Sequence, residues 1–375
     1  MPILPDFRLE TYFSAWEFTA RHHLTASDAQ TVSLAELLVM ADEDGRRRWE
    51  TLALGYTETR GLPALREEIA ATYDHIAPED VLCFAGAEEA IYLAMQVLLT
   101  PADHAVVLTP NYQAAETIPL ALCEVTGVAL REDDGWALDV DAIEAALRPN
   151  TRLVSANFPN NPTGAVPDVE SWRRLVDLCA ERGITLFSDE VYRGLELDRP
   201  PLPQAADLSP TALSLNVISK VYGLPGLRIG WIACRDRELL DRLERAKHYT
   251  SICNAAPSEV LALIGLRARD RLLQRNRDII KANIPLFEDF FDRRPDLFAW
   301  ERPLGGCVCF PRYLGADGVE AMCADLVREV GVLVLPSSIY RSDLTATPTD
   351  RFRVGVGRAG PEEALARWDE WLAKR

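Results

Sequence analysis

Residues 152–190 read RLVSANFPNNPTGAVPDVESWRRLVDLCAERGITLFSDE and place one amphipathic helix between two short apolar runs. Asp168 is the predicted N-cap of this helix, and Gly183 is predicted to end it. The apolar positions of the helix follow the i, i+3, i+4 spacing of one buried face: Val169, Trp172, Val176 and Cys179. The stretch therefore predicts a strand–helix–strand unit.

The same alternation extends on both sides of this unit. Further short apolar runs are AVVLT at residues 105–109, ALSLNVI at 212–218 and IGWIA at 229–233. Continuous apolar runs of this length are typical of parallel strands that are buried on both faces. We therefore predict an α/β fold, with a large domain over residues 46–280 whose mostly parallel central sheet is flanked by helices.

The last ninety residues have a different pattern. Helical periodicity at residues 319–330 and 361–374 flanks strand-like pieces near 308–310, 332–335 and 352–356. We predict a smaller α+β domain over residues 281–375, with residues 1–45 as an N-terminal segment that packs against it. A chain of 375 residues is long enough for about two such domains.

Composition excludes several classes of function. The chain has 57 acidic and 40 basic residues and a net charge of −17, which argues against nucleic acid or an anionic membrane as a partner. It lacks an apolar stretch of about 18 residues and a signal-peptide pattern at its N-terminus. Its eight cysteines are scattered without a C-x-x-C pair, and its histidines lack metal-ligand spacing. We expect a cytoplasmic protein with reduced thiols and no metal.

Polar residues follow each predicted strand of the large domain. In open α/β sheets, ligands bind beyond the carboxyl ends of the strands. These positions would collect one lysine, one carboxylate, two tyrosines and several carboxamides: Asn111, Tyr112, Asn157, Asn160, Asn161, Asp189, Tyr192, Ser219 and Lys220. A lysine at a strand end near a buried carboxylate is a candidate Schiff-base or general-base group.

Eight motifs, in this order and spacing, resemble those of class I/II aminotransferases, which are fold type I pyridoxal-phosphate enzymes. They are GYTETRGLPALR at 55–66, GAEEAI at 86–91, PNY at 110–112, NPTG at 161–164, SDEVY at 188–192, SKVYGLPGLRIGW at 219–231, GG at 305–306 and RFRVGVGR at 351–358. The resemblance covers residues 50 to 375 and implies pyridoxal 5′-phosphate as the cofactor.

The resemblance also implies roles for the residues near the cofactor ring. Lys220 would form a Schiff base with the cofactor aldehyde and later move the substrate proton. Asp189 would pair with the pyridine nitrogen, while Tyr192 and Asn161 would hydrogen-bond the phenolate oxygen and Tyr112 would stack on the ring. The expected catalytic residues are therefore Lys220, Asp189 and Tyr192.

The cofactor phosphate would lie at the start of a helix over residues 89–99. There Gly86, Ala87 and Glu88 offer backbone N–H groups and a helix dipole, and Ser219 and Arg228 add hydrogen bonds. Glu88 carries the same charge sign as the phosphate, so we expect its side chain to point away.

Two further positions complete the implied site. Tyr56 would reach the phosphate from the other subunit, which implies a homodimer with shared active sites. Arg353, assisted by Asn161, would clamp the substrate α-carboxylate as a bidentate pair. Arg351 and Arg358 leave two alternatives open: they select a dicarboxylate substrate, or they are surface charges.

The implied function is an aminotransferase that moves an amino group from an L-amino acid to a 2-oxo acid. One alternative comes from the N-terminal stretch YFSAWEFTARHHLTASDAQTVSLAELL, which resembles that of capreomycidine-synthase-like enzymes. Those relatives eliminate and cyclise rather than transaminate. A non-catalytic binding module on this fold is a weaker alternative. Such a protein would be free to lose Lys220 or Asp189, yet both residues are present.

Overall fold

The computed structural model describes residues 4–375, so the first three positions of the predicted N-terminal segment lie outside the described residues. The α-helices in this range are α1 Arg8–Trp16, α2 Leu34–Val39, α3 Glu43–Glu50, α4 Pro63–Ala70, α5 Ala87–Leu98, α6 Ala114–Leu120, α7 Val140–Ala146, α8 Val169–Glu181, α9 Ala205–Leu208, α10 Arg237–Lys247, α11 Ala256–Arg267, α12 Arg269–Asp292, α13 Val319–Asp325 and α14 Glu362–Leu372.

The strands are β1 His22–His23, β2 Val81–Phe84, β3 His104–Thr109, β4 Glu124–Ala129, β5 Thr151–Asn157, β6 Thr185–Asp189, β7 Leu213–Val217, β8 Gly230–Ala233, β9 Phe298–Ala299, β10 Val308–Cys309, β11 Arg312–Tyr313, β12 Val332–Leu333, β13 Leu335–Pro336 and β14 Phe352–Gly355. Helix α8 begins after Asp168, whose side chain accepts a hydrogen bond from Ser171 N as an N-cap does.

A seven-stranded sheet with the order β2-β8-β7-β6-β5-β3-β4 forms the centre of the molecule. β3, β4, β5, β6 and β7 pair in parallel, whereas β8 is antiparallel to both of its neighbours. The predicted α/β fold with a mostly parallel sheet is confirmed. β2 and β4 lie outside the apolar runs from which the sheet was predicted.

Both faces of the sheet are buried because successive strand residues point to opposite sides. Leu153 belongs to the larger apolar core, while Val154, the next residue, belongs to the second core together with Trp172 of α8. Because both faces are buried, the sequences of these strands are continuously apolar and do not alternate between apolar and polar residues.

The antiparallel strand β8 brings an additional segment to the ligand-binding edge of the sheet. Its first residue, Gly230, pairs with Val217 at the end of β7 and with Phe84 at the end of β2. The segment before β8 therefore lies at the same edge as the carboxyl ends of the parallel strands. This places Arg228 beside the residues that follow β2, β5, β6 and β7.

The C-terminal part contains a three-stranded antiparallel sheet of the order β10-β14-β13. The N-terminal segment joins this part through β1, where His22 pairs with Val332 in a parallel bridge. A turn of π-helix at Leu326–Val330 follows α13, where the sequence predicts one uninterrupted helix. Among residues 4–375, no helix has the length and apolarity that crossing a membrane requires.

Candidate active site

A cavity of about 340 Å³ opens at the carboxyl edge of the large sheet. Most of the predicted cofactor residues line it together: Ala87, Glu88, Tyr112, Asn161, Asp189, Tyr192, Ser219, Lys220 and Arg228. Gly86 adjoins the cavity as the N-cap of α5. Arg353 and Tyr56 do not line it.

Lys220 is the third residue after β7, and it lines the cavity. Its Nζ donates a hydrogen bond to the Ser27 hydroxyl at 2.9 Å. Burial lowers the pKa of Lys220, and nearby Arg353 lowers it further, while Asp28 and Asp189 act in the opposite direction. A lysine with a lowered pKa is more often neutral at physiological pH, as a nucleophile or base must be.

Asp189 ends β6 and lines the same cavity as Lys220. One of its carboxylate oxygens accepts a hydrogen bond from Val191 N at 3.1 Å. Burial raises the pKa of this carboxyl to about 6 although hydrogen bonding and Lys220 oppose the shift. A cation beside Asp189 would lower the pKa of this carboxyl and so counteract the rise caused by burial. The position therefore suits a protonated ring nitrogen.

Two buried hydroxyls lack partners on the cavity wall. Tyr192 is 2% exposed and Ser219 is 5% exposed. Neither hydroxyl has a hydrogen-bond partner within 3.5 Å among the described residues. Unsatisfied buried polar groups are costly, which indicates that a polar ligand completes them. The phenolate oxygen and phosphate of pyridoxal 5′-phosphate are acceptors of the kind that these two donors require.

The start of α5 forms a cradle with space for an anion. Gly86 has a φ of 92°, and a side chain there would come within 2.5 Å of Arg228 Nη2. A Cβ on Gly230 would lie 2.9 Å from Ala87 N. These two glycines therefore keep the helix N-terminus and a guanidinium group close together, an arrangement that binds phosphate. The residues present fit the implied cofactor.

Glu88 does not follow the expectation from sequence. Its side chain lines the cavity instead of pointing away, because it hydrogen-bonds the side chain of Tyr112. Burial raises the pKa of Glu88 to about 7, and the charges of Glu10 and Asp189 add to the rise while Arg228 opposes it. Near neutral pH this carboxyl is therefore partly protonated, which reduces its repulsion of an anion.

Glu88 should also make the cofactor-free protein less stable as pH rises. A raised folded-state pKa means that the folded state holds the proton more tightly than the unfolded state, so stability falls between about pH 4.5 and pH 7. Glu88→Gln removes this contribution, and at pH 8 we expect a thermal midpoint about 2 °C above that of the wild type. Below about pH 4, where the carboxyl is protonated in both the folded and the unfolded state, the difference should disappear. Exposed Glu67→Gln is the control, and equal wild-type and Glu88→Gln profiles would contradict the assignment.

Arg353 lies on β14, fully buried behind the cavity. Its guanidinium donates to Thr25 O at 2.7 Å and to Asn161 Oδ1 at 3.2 Å. Within the described part of the chain it has no ion-pair partner. A buried guanidinium with only neutral partners is suited to an incoming carboxylate.

The N-terminal segment supplies part of the cavity wall that the sequence motifs do not indicate. Its contributions are Leu9, Glu10, Phe13, Glu17, His23, Ala26, Ser27 and Asp28. Both ring nitrogens of His23 lack hydrogen-bond partners, and burial lowers the pKa of this ring to about 4, so it is neutral. Sequence reasoning missed these residues because no family motif includes them.

The interpretation as a surface charge is wrong for Arg351, whereas Arg358 keeps 40% of its side chain exposed. Arg351 is 1% exposed and ion-paired with Glu132 and Glu301. Arg358 lines the cavity and donates to both carboxylate oxygens of Asp28 at 3.0 Å. Both guanidinium groups already have carboxylate partners in the protein, which sets them apart from Arg353.

Tyr56 is 94% exposed and lies in a surface groove with Leu54, Ser251 and Cys253. Within one chain it does not reach the cavity.

Comparison with known proteins identifies the family. The profile of the family "Aminotransferase class I and II" matches residues 43–368. Capreomycidine synthase from Streptomyces vinaceus is 29% identical over 96% of this chain and 91% of its own length. A PLP-dependent aminotransferase from Streptococcus suis superposes with a TM-score of 0.90 at 29% identity, covering 99% of this chain and 97% of that chain.

The PLP-dependent cyclase OrfR superposes with a TM-score of 0.89 at 23% identity, over 100% of this chain and 99% of its own, and this likeness concerns the fold. The family profile covers most of the sequence, including all eight motifs from GYTETRGLPALR to RFRVGVGR. The chain therefore belongs to the class I and II aminotransferase family, and its cofactor is pyridoxal 5′-phosphate.

Proposed function

We propose that this protein is an aminotransferase that moves the amino group of an L-amino acid to a 2-oxo acid. The observation that carries the proposal is the convergence of Lys220, Asp189 and the start of α5 on one cavity, with the unpaired Arg353 guanidinium behind it. The similarity to the Streptococcus suis aminotransferase over nearly the whole chain supports it.

Each group has a definite task in this proposal. When bound, pyridoxal 5′-phosphate supplies an aldehyde that condenses with amines and a protonated ring that accepts the electron pair left at the substrate Cα. Asp189 keeps the ring nitrogen protonated, and Arg228, Ser219 and the α5 N-terminus hold the phosphate. Arg353 orients the substrate through its carboxylate. Lys220, once it is free, takes the proton from Cα.

The test is product analysis with the purified protein and added cofactor. Single L-amino acids are supplied with and without pyruvate or 2-oxoglutarate. Equal amounts of a new amino acid and a new 2-oxo acid, formed only when both substrates are present, are the expected result. Ammonia or a cyclised amino acid formed without any oxo acid would contradict transamination.

A second candidate is β-elimination and cyclisation of an amino acid. One observation favours it: the match to capreomycidine synthase covers 96% of this chain and so includes N-terminal positions that line the cavity. The same Lys220 and Asp189 would serve this reaction, because the cofactor stabilises the Cα electron pair in both cases. The product analysis described above separates the two candidates.

We also propose that two copies form a dimer across the surface around Tyr56. Four large apolar side chains are exposed in this region although most such side chains of the chain are buried: Leu54 84%, Tyr56 94%, Tyr249 94% and Ile252 53%. Exposed apolar clusters of this kind mark interfaces. A second copy would cover them and would bring Tyr56 towards the partner's phosphate site.

Leu54→Asp tests the dimer. A charge in the centre of an apolar interface should weaken association at least about tenfold, so the mass in solution should shift from dimer to monomer. Leu314→Asp, which is also exposed but lies outside the cluster, is the control. Light scattering during size-exclusion chromatography measures both masses. A wild-type monomer, or a Leu54→Asp dimer of unchanged stability, would contradict the proposal.

We also propose a division into two domains. Residues 46–280 form the large domain, and residues 281–375 form a small one with which residues 1–45 pack; the pairing of β1 with β12 supports this division, although α12 runs through position 280. We also propose a cytoplasmic location, which the eight free cysteines favour.

A further inference from the structure

Ser27 is held beside Lys220 by contacts on both sides of it. Two residues before Ser27, Thr25 accepts a hydrogen bond from Arg353 through its carbonyl oxygen. One residue after it, Asp28 binds Arg358. Ala29 N then donates to the carbonyl oxygen of Lys220 at 3.0 Å. The N-terminal segment is therefore attached to the backbone of Lys220, and the position of Ser27 relative to this lysine is fixed.

The side chains of Ser27 and Lys220 are also in direct contact. Lys220 Nζ donates to Ser27 Oγ at 2.9 Å, and Ser27 is half-buried on the cavity wall. The hydroxyl of Tyr192 lies close to Ser27 as well. A hydroxyl accepts a hydrogen bond from an ammonium group and donates one to a neutral amine, so Ser27 holds Nζ in either protonation state.

We propose that Ser27 is a positioning residue that holds the free amine of Lys220 facing the cofactor aldehyde. Capture of the aldehyde joins Nζ to the aldehyde carbon and expels the aldehyde oxygen as water, and it requires a neutral, correctly oriented amine. After a substrate amine has displaced Lys220, the same hydroxyl receives Nζ again. The inference rests on the proposed role of Lys220.

The charge state of Lys220 depends on several other groups besides Ser27. They come from the N-terminal segment, from β6 and β14, and from the residue before β10: Glu17, Asp28, Asp189, Arg353 and Cys307. None of these changes when only the Ser27 hydroxyl is removed. Any change in Ser27→Ala is therefore due to the Ser27 hydroxyl and its contacts with Lys220 and with the nearby Tyr192.

The experiment measures the rate of cofactor capture by cofactor-free protein as a function of pH, from the loss of free-aldehyde absorbance after rapid mixing. Ser27→Ala should lower the pH midpoint of capture by about one unit, because the charged amine loses its acceptor. Its plateau rate at high pH should also fall about tenfold, because Nζ is no longer oriented. Ser27→Thr, which keeps the hydroxyl, should restore both values.

Control variants make the outcome decisive. Ser14→Ala removes an exposed hydroxyl of the same segment and should behave like the wild type. If Ser27→Ala does not fold, Ser27→Cys provides the same test, since a thiol is a weak acceptor of similar size. A wild-type midpoint and plateau in the folded Ser27 variant would overturn the inference. Covalent capture by Lys220→Ala would instead overturn the role proposed for Lys220.

Discussion

Lys220→Ala is expected to reduce turnover by roughly a thousand-fold or more while leaving the fold intact. Lys220 is the lysine of the cavity wall, and its pKa is lowered by burial. In the proposed mechanism, the variant would leave the cofactor without a covalent link to the protein and the substrate Cα without an adjacent amine base. Steady-state rates with the amino donor found by product analysis give the size of the loss.

A second measurement identifies the lysine that binds the cofactor. Borohydride reduction followed by peptide mass spectrometry should place the cofactor on the wild-type peptide that contains Lys220, and nowhere on the variant. Lys281→Ala is the matched control, because this lysine lies on the surface of α12 with one long-range ion pair at 3.9 Å. Label on another lysine, or wild-type rates in Lys220→Ala, would refute the assignment.

The local sequence pattern predicts most of the central sheet, but it does not predict the two strands β2 and β4. The apolar runs at 105–109, 152–156 and 184–187 correspond to β3, β5 and β6 within one or two residues. β4 is different because its residues are mostly only partly buried, so its sequence, EVTGVA, contains no continuous apolar run. β2 is short, at four residues, and local periodicity does not distinguish such a segment from a helix start.

Some residues of the candidate site can likewise be predicted from the sequence, and others cannot. Lys220, Asp189 and Asn161 could be predicted because each follows a recognisable strand or lies within a motif. The direction of Glu88 could not, because it depends on Tyr112, which is distant in sequence and meets it only in the folded chain. The same applies to Ser27, since its relation to Lys220 spans 193 residues and appears in no local pattern.

Burial of arginine was the least predictable feature. Arg353 lies on β14 and Arg351 directly precedes this strand, and both side chains are inaccessible to solvent. Arg351 is compensated by Glu132 and Glu301, which come from distant parts of the chain. Arg353 has no such partner among residues 4–375. This difference between two neighbouring arginines is visible only in the structure, and it is the reason why we propose Arg353 and not Arg351 as the group that binds the substrate carboxylate.

Arg353→Lys is therefore expected to lower kcat/KM for the amino acid about 100-fold. A guanidinium group forms two parallel hydrogen bonds with a carboxylate, whereas an ammonium group acts as a single point charge and cannot reproduce this geometry. Loss of one charge-assisted hydrogen bond accounts for an effect of this size. Most of it should appear in KM, because the carboxylate is bound before the reaction and throughout it.

The matched control is Arg351→Lys, an equally buried substitution at the residue just before β14, whose ion pairs lie away from the cavity. Both variants should lose some thermal stability, but only Arg353→Lys should lose discrimination between the amino acid and the corresponding amine without its carboxylate. The ratio of the two kcat/KM values is independent of the amount of folded enzyme, so it separates recognition from stability. An unchanged ratio in Arg353→Lys would show that another group binds the carboxylate, and the buried guanidinium would then serve to connect β14 to Thr25 and Asn161.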